Sequence, residues 1–567
     1  MNRRLLPAML CCVLLPACGD MDGGSGERAT FGATSGADGA LAPMIMVAID
    51  SLHPAYLALD RNGDANGAPG NWLMPNVRGF LEKATWYPNA RCFLPSATDM
   101  NHVNALAGTS SGQTGILGVK SQMKGWDGDG KPVIEGTSLS WLRDDQGRPL
   151  DTLFHAWKRA FPGEKTAFVA GKGWVAEMFD VPEKPVDFIV TGDAHPSYVP
   201  DPVKRSYTDP PTDLDGRCDP ESKKQRLLAS IMEAAASHAP SDKWTVNATL
   251  KVLDNEKPSM VYVLMAQLDD IGHALGAAHD PSEFVPKYFP YQPDAPMCVA
   301  KPKYQLVSSR DRRIYREAIL DAVRDVDFQF GRLIKGLEKR GIRDKANIVV
   351  LSDHAMVTHL YDKMINPKAT DLLALLEDAK LVGDDDFVPY TATSVGALYW
   401  RDKKWRVPLA KKVLEAHTAR NPQTGVDECP WFVLDREDMK NGIPGMVLPG
   451  ELYHKYFIET DKEQSLVWPD LVLGAKSGFQ LPAYSALYNL GFDNDTGIPF
   501  DASINIFVGG HGSVDTQPIM MAFGLPGGSS KVLQKKTRIA DIAATMASIY
   551  NLQLKSTMVG ADLSGDL

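Results

Sequence analysis

The stretch Met44-Ile45-Met46-Val47-Ala48-Ile49-Asp50 sets six apolar residues in a row and ends them with a carboxylate. An unbroken apolar run of this length, rather than an alternating one, is what a strand buried on both faces requires. The same form recurs at residues 261–266, followed by Asp269, and at Asn347–Leu351, followed by Ser352-Asp353-His354. Between these runs, residues 151–160, 311–340 and 539–550 carry their apolar side chains at helical spacing. The alternation predicts an α/β fold, a doubly wound, mostly parallel central sheet with helices on both faces. Open sheets of this kind bind ligands beyond the carboxyl ends of their strands, which is where Asp50, Asp269 and Asp353 fall.

Two regions interrupt the pattern, near residues 180–310 and 357–505, each rich in Pro, Asp and Gly. They read as insertions, the second part of the first one carrying the strand that leads to Asp269. The second has its own strand signal at Val395–Trp400 and helix signal at residues 408–416, enough for a smaller inserted lobe. The core of the fold is expected over residues 44–567, with no internal repeat.

The N-terminus reads as an address. Arg3 and Arg4 precede an apolar run and then Leu15-Pro16-Ala17-Cys18, which resembles a bacterial lipobox. Residues 1–18 are read as a lipoprotein-type signal peptide in which Cys18 takes a lipid anchor, and residues 19–43, rich in Gly, Ala, Ser and Asp, as a flexible tether. This places the protein outside the cytoplasm, in a bacterial periplasm or on the cell surface and attached to a membrane. Cys92, Cys218, Cys298 and Cys429 remain beyond the leader, with three possible disulfide pairings and no CxxC spacing for a thiolate metal site. The net charge of -10, or -12 without Arg3 and Arg4, argues against a nucleic-acid polymer as partner. A small phosphate ester can still be captured by a locally positive site.

Four short motifs supply such a site. Asp50 ends the first strand; Asp269-Asp270-Ile271-Gly272-His273 sets a carboxylate and an imidazole four positions apart; Asp353-His354 follows a third strand; and Gly510-His511-Gly512 presents an imidazole between glycines. Together these are three carboxylates and three imidazoles, enough for two metal ions that stay open to substrate. Oxygen and nitrogen donors without thiolate favour Zn2+, with Mn2+ or Fe as weaker fits. In Pro95-Ser96-Ala97-Thr98-Asp99-Met100-Asn101-His102, Thr98 stands where a helix begins, as a nucleophile favoured by the helix dipole or simply as a helix cap.

In type, order and spacing these residues resemble the alkaline phosphatase superfamily, most closely its nucleotide pyrophosphatase/phosphodiesterase branch. The resemblance rests on Asp50, Thr98 in Thr-x-x-Asn-His, Asp269-x-x-Gly-His273, Asp353-His354 and His511 in Gly-His-Gly, with residues 538–545 similar to the family's closing helix. It implies that Asp50, Thr98, Asp353 and His354 surround one zinc and Asp269, His273 and His511 the other. It further implies in-line attack by Thr98, a covalent phosphothreonine and hydrolysis of that ester by water. A sulfatase is disfavoured, since Cys92-Phe93-Leu94-Pro95-Ser96 lacks Cys-x-Pro-x-Arg.

Two positions bear on substrate. Val119 falls where the family usually places a phosphate-binding Asn, and a Val side chain donates no hydrogen bond; Lys120 and Lys172 are the candidate replacements. Lys172 resembles the substrate-holding lysine of phosphonoacetate hydrolases in the same superfamily, against the alternative of an ordinary solvated lysine. The leading expectation is a phosphodiesterase or nucleotide pyrophosphatase. The alternatives are a phosphonate or phosphomonoester hydrolase and, in another class, an inactive lipid-anchored binding protein. His102, His279 and His359 are read as supporting or structural and kept out of the site.

Overall fold

The computed structural model describes residues 41–65, 67–94, 96–114, 122–126, 132–135, 149–191, 242–275, 277, 288–289, 305–306, 309–358, 372–382, 387–392, 395–401, 404–420, 426–443, 469–476, 479, 481, 509–510, 512, 516–555 and 558–567. The strands that matter here are β1 (Met44–Ile49), β2 (Thr85–Trp86), β3 (Thr166–Ala170), β4 (Phe188–Thr191), β5 (Met260–Met265), β6 (Asn347–Leu351), β7 (Phe387–Ala392), β8 (Val395–Trp400), β9 (Trp431–Asp435), β10 (Leu471–Ala475), β11 (Met521–Gly524) and β12 (Lys531–Val532). Eight of them form the central sheet in the order β12-β2-β11-β6-β1-β5-β3-β4.

β1 lies inside this sheet, paired in parallel with β5 on one side and β6 on the other. The β5-β3 and β3-β4 pairs are parallel as well, and β11 is antiparallel to both β6 and β2. The sheet is therefore mostly parallel, as the apolar runs predict. The order 261–266 expected for the second strand is displaced by one residue, because Met260 already pairs with Met44.

Strand pleating sends the residues of β1 to two faces. Ile45, Val47 and Ile49 pack in one hydrophobic cluster with helices α1 (Pro75–Leu81), α5 (Asp242–Asn255) and α7 (Ser309–Lys339). Met44, Met46 and Ala48 join a second cluster with α2 (Thr98–Ala107), α3 (Leu153–Ala160) and α10 (Asp541–Tyr550). Helices thus cover both faces, which is why all six residues of β1 are buried. In α7 the buried residues Val323, Val326, Phe330, Leu333 and Leu337 recur every three or four positions, the spacing that keeps one stripe against the sheet. α3 begins two residues later than the periodicity predicts, since Thr152 and His155 form a reciprocal capping box and Asp151 instead pairs with Arg159.

A second sheet, β7-β8-β10-β9, is antiparallel throughout. It has its own core, in which Leu398 and Trp400 of β8 and Leu471 and Leu473 of β10 pack with α8 (Leu372–Asp378) and α9 (Arg406–Ala416). α4 (Gly173–Glu177) and α6 (Gln267–Leu275) follow β3 and β5 directly and carry the site described below. Among the described residues no helix is long and apolar enough to cross a membrane. Cys92 is buried and Cys429 half-buried; Cys18, Cys218 and Cys298 lie outside the described residues.

Candidate metal centre

Four strands of the parallel sheet end at one place. Asp50 follows β1, Lys172 follows β3, Asp269 follows β5 on the first turn of α6, and Ser352-Asp353-His354 follow β6. Asp50, Asp269, Asp353 and His354 are all buried. The backbone holds the ends together: the Asp50 amide donates to the Met265 carbonyl at 2.9 Å, and the Ser352 hydroxyl donates to the Leu52 carbonyl at 2.9 Å.

His354 is the hub. Its Nε2 lies 3.0 Å from Thr98 Oγ1, 3.2 Å from Asp353 Oδ2 and 3.5 Å from Asp50 Oδ1. Its Nδ1 lies 3.1 Å from the Ala355 carbonyl, which can only accept, so the hydrogen-bond network assigns the proton to Nδ1 and the lone pair to Nε2. That is the tautomer a metal-ligating histidine needs. Asp50, Asp353 and His354 each offer a ligand atom within 4.8 Å of one another.

Three buried carboxylates this close repel one another. Burial, then Asp269 and Asp353, push the Asp50 carboxyl well above its usual range. Burial also raises Asp353, to about 7, against the lowering influence of Lys172. Asp50 Oδ1 and Asp353 Oδ2 are buried without a hydrogen-bond donor among the described residues. Orphaned anionic oxygens beside an imidazole lone pair fit a divalent cation, which would satisfy the oxygens and relieve the repulsion at once.

Thr98 reaches the hub from α2, which packs on the Met44, Met46 and Ala48 face of the sheet. It is the first residue of α2, while Ala97 occupies the cap position in extended conformation and makes no side-chain capping bond. The helix-cap reading is therefore corrected: the hydroxyl faces His354 instead. The loop before it is anchored by Asn101, whose side chain accepts from the Phe93 amide at 3.1 Å and donates to the Ala97 carbonyl at 3.1 Å. Asn101→Ala is expected to cost about 1–3 kcal/mol by leaving these buried groups unpaired, measured as a shift in the urea unfolding midpoint. Ser96 pairs with Gly512, whose amide donates to Ser96 Oγ at 3.0 Å and whose φ of 118° is open to glycine alone.

Lys172 is not the solvated lysine of the alternative reading. It is about 9% exposed, and its ammonium sits between two site carboxylates, 2.7 Å from Asp50 Oδ2 and in contact with Asp269 Oδ2. Two carboxylates drawn from different strands hold the charge inside, where an unpaired ammonium would be too costly to bury.

Two supporting residues complete the site: Ser51, which the sequence reading did not single out, and His102, which it read as supporting or structural. Ser51 adopts φ 62°, a left-handed conformation that costs a non-glycine residue on the order of 1 kcal/mol. Its hydroxyl donates to Asp269 Oδ1 and its amide donates to Asp353 Oδ1 at 3.3 Å. His102, fully buried, places Nε2 3.6 Å from Asp353 Oδ2 and Nδ1 2.7 Å from the Tyr262 hydroxyl; burial lowers its pKa to about 3 and keeps it neutral. His273 falls on α6 one turn after Asp269, and its side chain lies outside the described residues, as do His511, Val119, Lys120, His279 and His359.

Solved structures with a similar fold include murine ectonucleotide pyrophosphatase/phosphodiesterase 5, at 14% identity and TM-score 0.50, covering 93% of this chain and 98% of that one. An inactive form of the same murine protein in complex with AMP matches at 14% identity and TM-score 0.49, over 92% of this chain and 97% of that one. The human counterpart matches to the same extent, at 14% identity and TM-score 0.49. No curated relative matches in sequence. Residues 44–455, most of the chain and nearly all of the strand ends described above, match the family of type I phosphodiesterases and nucleotide pyrophosphatases, and the chain belongs to that family.

Proposed function

We propose that the protein is a two-zinc phosphodiesterase in which Thr98 is the nucleophile. The observation that carries this reading is the meeting of Thr98 Oγ1 with His354 Nε2 at 3.0 Å, beside Asp50 and Asp353, at the head of a ten-residue helix. Asp50, Thr98, Asp353 and His354 would hold one ion, and Asp269, His273 and His511 the other. Zn2+ suits this oxygen and nitrogen donor set best, Mn2+ or Fe less well. When bound, the metal supplies Lewis acidity that lowers the pKa of a nearby hydroxyl and offsets charge on the phosphoryl oxygens.

The chain's own residues supply the rest. The α2 dipole favours negative charge at Thr98 Oγ1 and on a phosphoryl group docked there. Attack forms the Thr98 Oγ–P bond and breaks the ester P–O bond in line with it, the proton lost by the Thr98 hydroxyl ending on the leaving alkoxide; water then cleaves the phosphothreonine, its oxygen passing to phosphorus and a proton returning to Thr98 Oγ. Burial excludes bulk water from Asp50, Asp353 and His354, so a cation that they held would act on the reacting group with little screening.

Lys172 favours a second reading of the substrate. A cation held at Asp50 and Asp269 suits a substrate with an additional negative group, such as a phosphomonoester or a phosphonate of the phosphonoacetate type. On this second reading, Lys172→Ala is expected to depress turnover of the monoester or phosphonate most. Comparing bis-p-nitrophenyl phosphate, p-nitrophenyl phosphate and phosphonoacetate for wild type and variant decides between the readings: a diester preference that Lys172→Ala leaves intact supports the phosphodiesterase, whereas a monoester or phosphonate preference lost with Lys172 overturns it.

The proposal includes export as a lipoprotein. A signal peptide through residue 18 with a lipid on Cys18, a tether over residues 19–43 and a catalytic domain over residues 44–567 would put the site in the periplasm or on the cell surface. Residues 1–40 lie outside the described set. Mass spectrometry of the mature N-terminus checks this: a diacylglyceryl-modified Cys18 is the expected result, and an unmodified or retained leader the contrary one.

A further inference from the structure

We infer that Ser51 is a positioning residue that ties the two halves of the metal centre to each other. The inference rests on the two-metal reading above, in which Asp269 belongs to one ion and Asp353 and His354 to the other. Ser51 is the described residue that bonds to all three. Its hydroxyl donates to Asp269 Oδ1, lies 3.2 Å from His354 Nδ1, and its amide donates to Asp353 Oδ1 at 3.3 Å.

The proton directions follow from chemistry. Asp269 as a carboxylate can only accept, so the Ser51 hydrogen points to it and leaves the Ser51 oxygen lone pairs for His354. The Nδ1–H of His354 is then shared between Ser51 Oγ and the Ala355 carbonyl, and both acceptors hold the ring with Nε2 facing Thr98, Asp50 and Asp353. One hydroxyl thus orients a ligand of each proposed ion through the sequence His354 Nδ1–H to Ser51 Oγ–H to Asp269 Oδ1.

The backbone supports a role beyond packing. Ser51 holds φ 62°, where glycine is the unstrained choice, and the side chain that makes this conformation costly is the one that contacts Asp269 and His354. A strained serine in place of an unstrained glycine is what a hydroxyl with a task would leave behind.

The test uses the purified full chain and Zn2+ in competition with a chromophoric chelator, with the thermal midpoint of the chelated protein as a separate readout. Ser51→Gly removes the hydroxyl and the strain together. The expected result is an unchanged or higher midpoint without metal and a weaker zinc affinity, by about 10- to 100-fold, as when a metal ligand loses its outer hydrogen bond. Ser51→Ala removes the hydroxyl but keeps a Cβ in the left-handed conformation, so its midpoint lies below that of Ser51→Gly while its zinc affinity drops as in Ser51→Gly. Affinity that tracks the hydroxyl while stability tracks the strain supports the inference. Wild-type zinc affinity in either folded variant overturns it. Failure of the wild-type chain to bind zinc would overturn the two-metal reading itself, a distinct result.

Discussion

Thr98→Ala is expected to lower phosphodiester turnover by at least ~10^4-fold, as removal of a covalent nucleophile does when the rest of a site remains. The variant should fold as the wild type does. Thr98 is not the cap of α2, and its hydroxyl is within hydrogen-bond reach of His354 Nε2, so no helix-capping bond is lost with it. Zinc stoichiometry should stay near the wild-type value, because Asp50, Asp353 and His354 remain. Acid quenching of the wild type during turnover, followed by peptide mass spectrometry, should reveal phosphoryl ester mass on the peptide containing Thr98 and none in Thr98→Ala. Undiminished turnover in the variant would remove Thr98 from the chemistry.

Asp353→Asn is expected to move stability and metal binding in opposite directions. An acid whose folded pKa is raised takes up protons on folding, so between the ordinary carboxylate range near 4 and the folded value of about 7 the native state binds more protons than the unfolded one. The contribution of such a group is favourable at low pH and is lost as pH rises through that window. Chelated wild type should therefore lose stability from pH 4 to pH 7. Asp353→Asn, carrying a neutral amide in the same volume, should flatten that slope and raise the thermal midpoint of the chelated protein at pH 7. Zinc should reverse the ranking. At a thousandfold excess over its Kd a ligand stabilises by about 4 kcal/mol, a gain open to wild type and largely closed to the variant. Differential scanning fluorimetry across pH, with and without Zn2+, checks both directions.

Why some of this architecture was readable and some not has a physical basis. β1 and β6 are buried on both faces, so their sequences carry continuous apolar runs that need no partner to be recognised. The carboxylates and His354 are readable for the same reason: each sits directly after such a run. β2 and β12 are two-residue strands defined only by their neighbours, and nothing local marks them. The antiparallel direction of β11 is set by the path of the chain and not by composition.

The solvated alternative for Lys172 could not be set aside from sequence, because lysine is ordinarily solvated and its burial depends on Asp50 and Asp269, which lie 122 and 97 residues away along the chain. Ser51 gave a signal that only its position explains: a small polar residue directly after a strand-end carboxylate, at a turn where glycine would fit without strain. The pairing of His102 with Asp353 and Tyr262 could be anticipated only as far as the one-turn offset from Thr98, since both partners come from other strands. Local sequence reports which residues are buried and where strands end; the long-range electrostatics that join those ends become visible only in three dimensions.

The most direct test of the account is a zinc titration of the chelated full chain, following bis-p-nitrophenyl phosphate turnover and bound metal together. The account predicts that about two equivalents bind and that turnover appears only as the second is taken up. Turnover that persists in chelated protein, or a chain that binds no zinc at micromolar concentration, would contradict it.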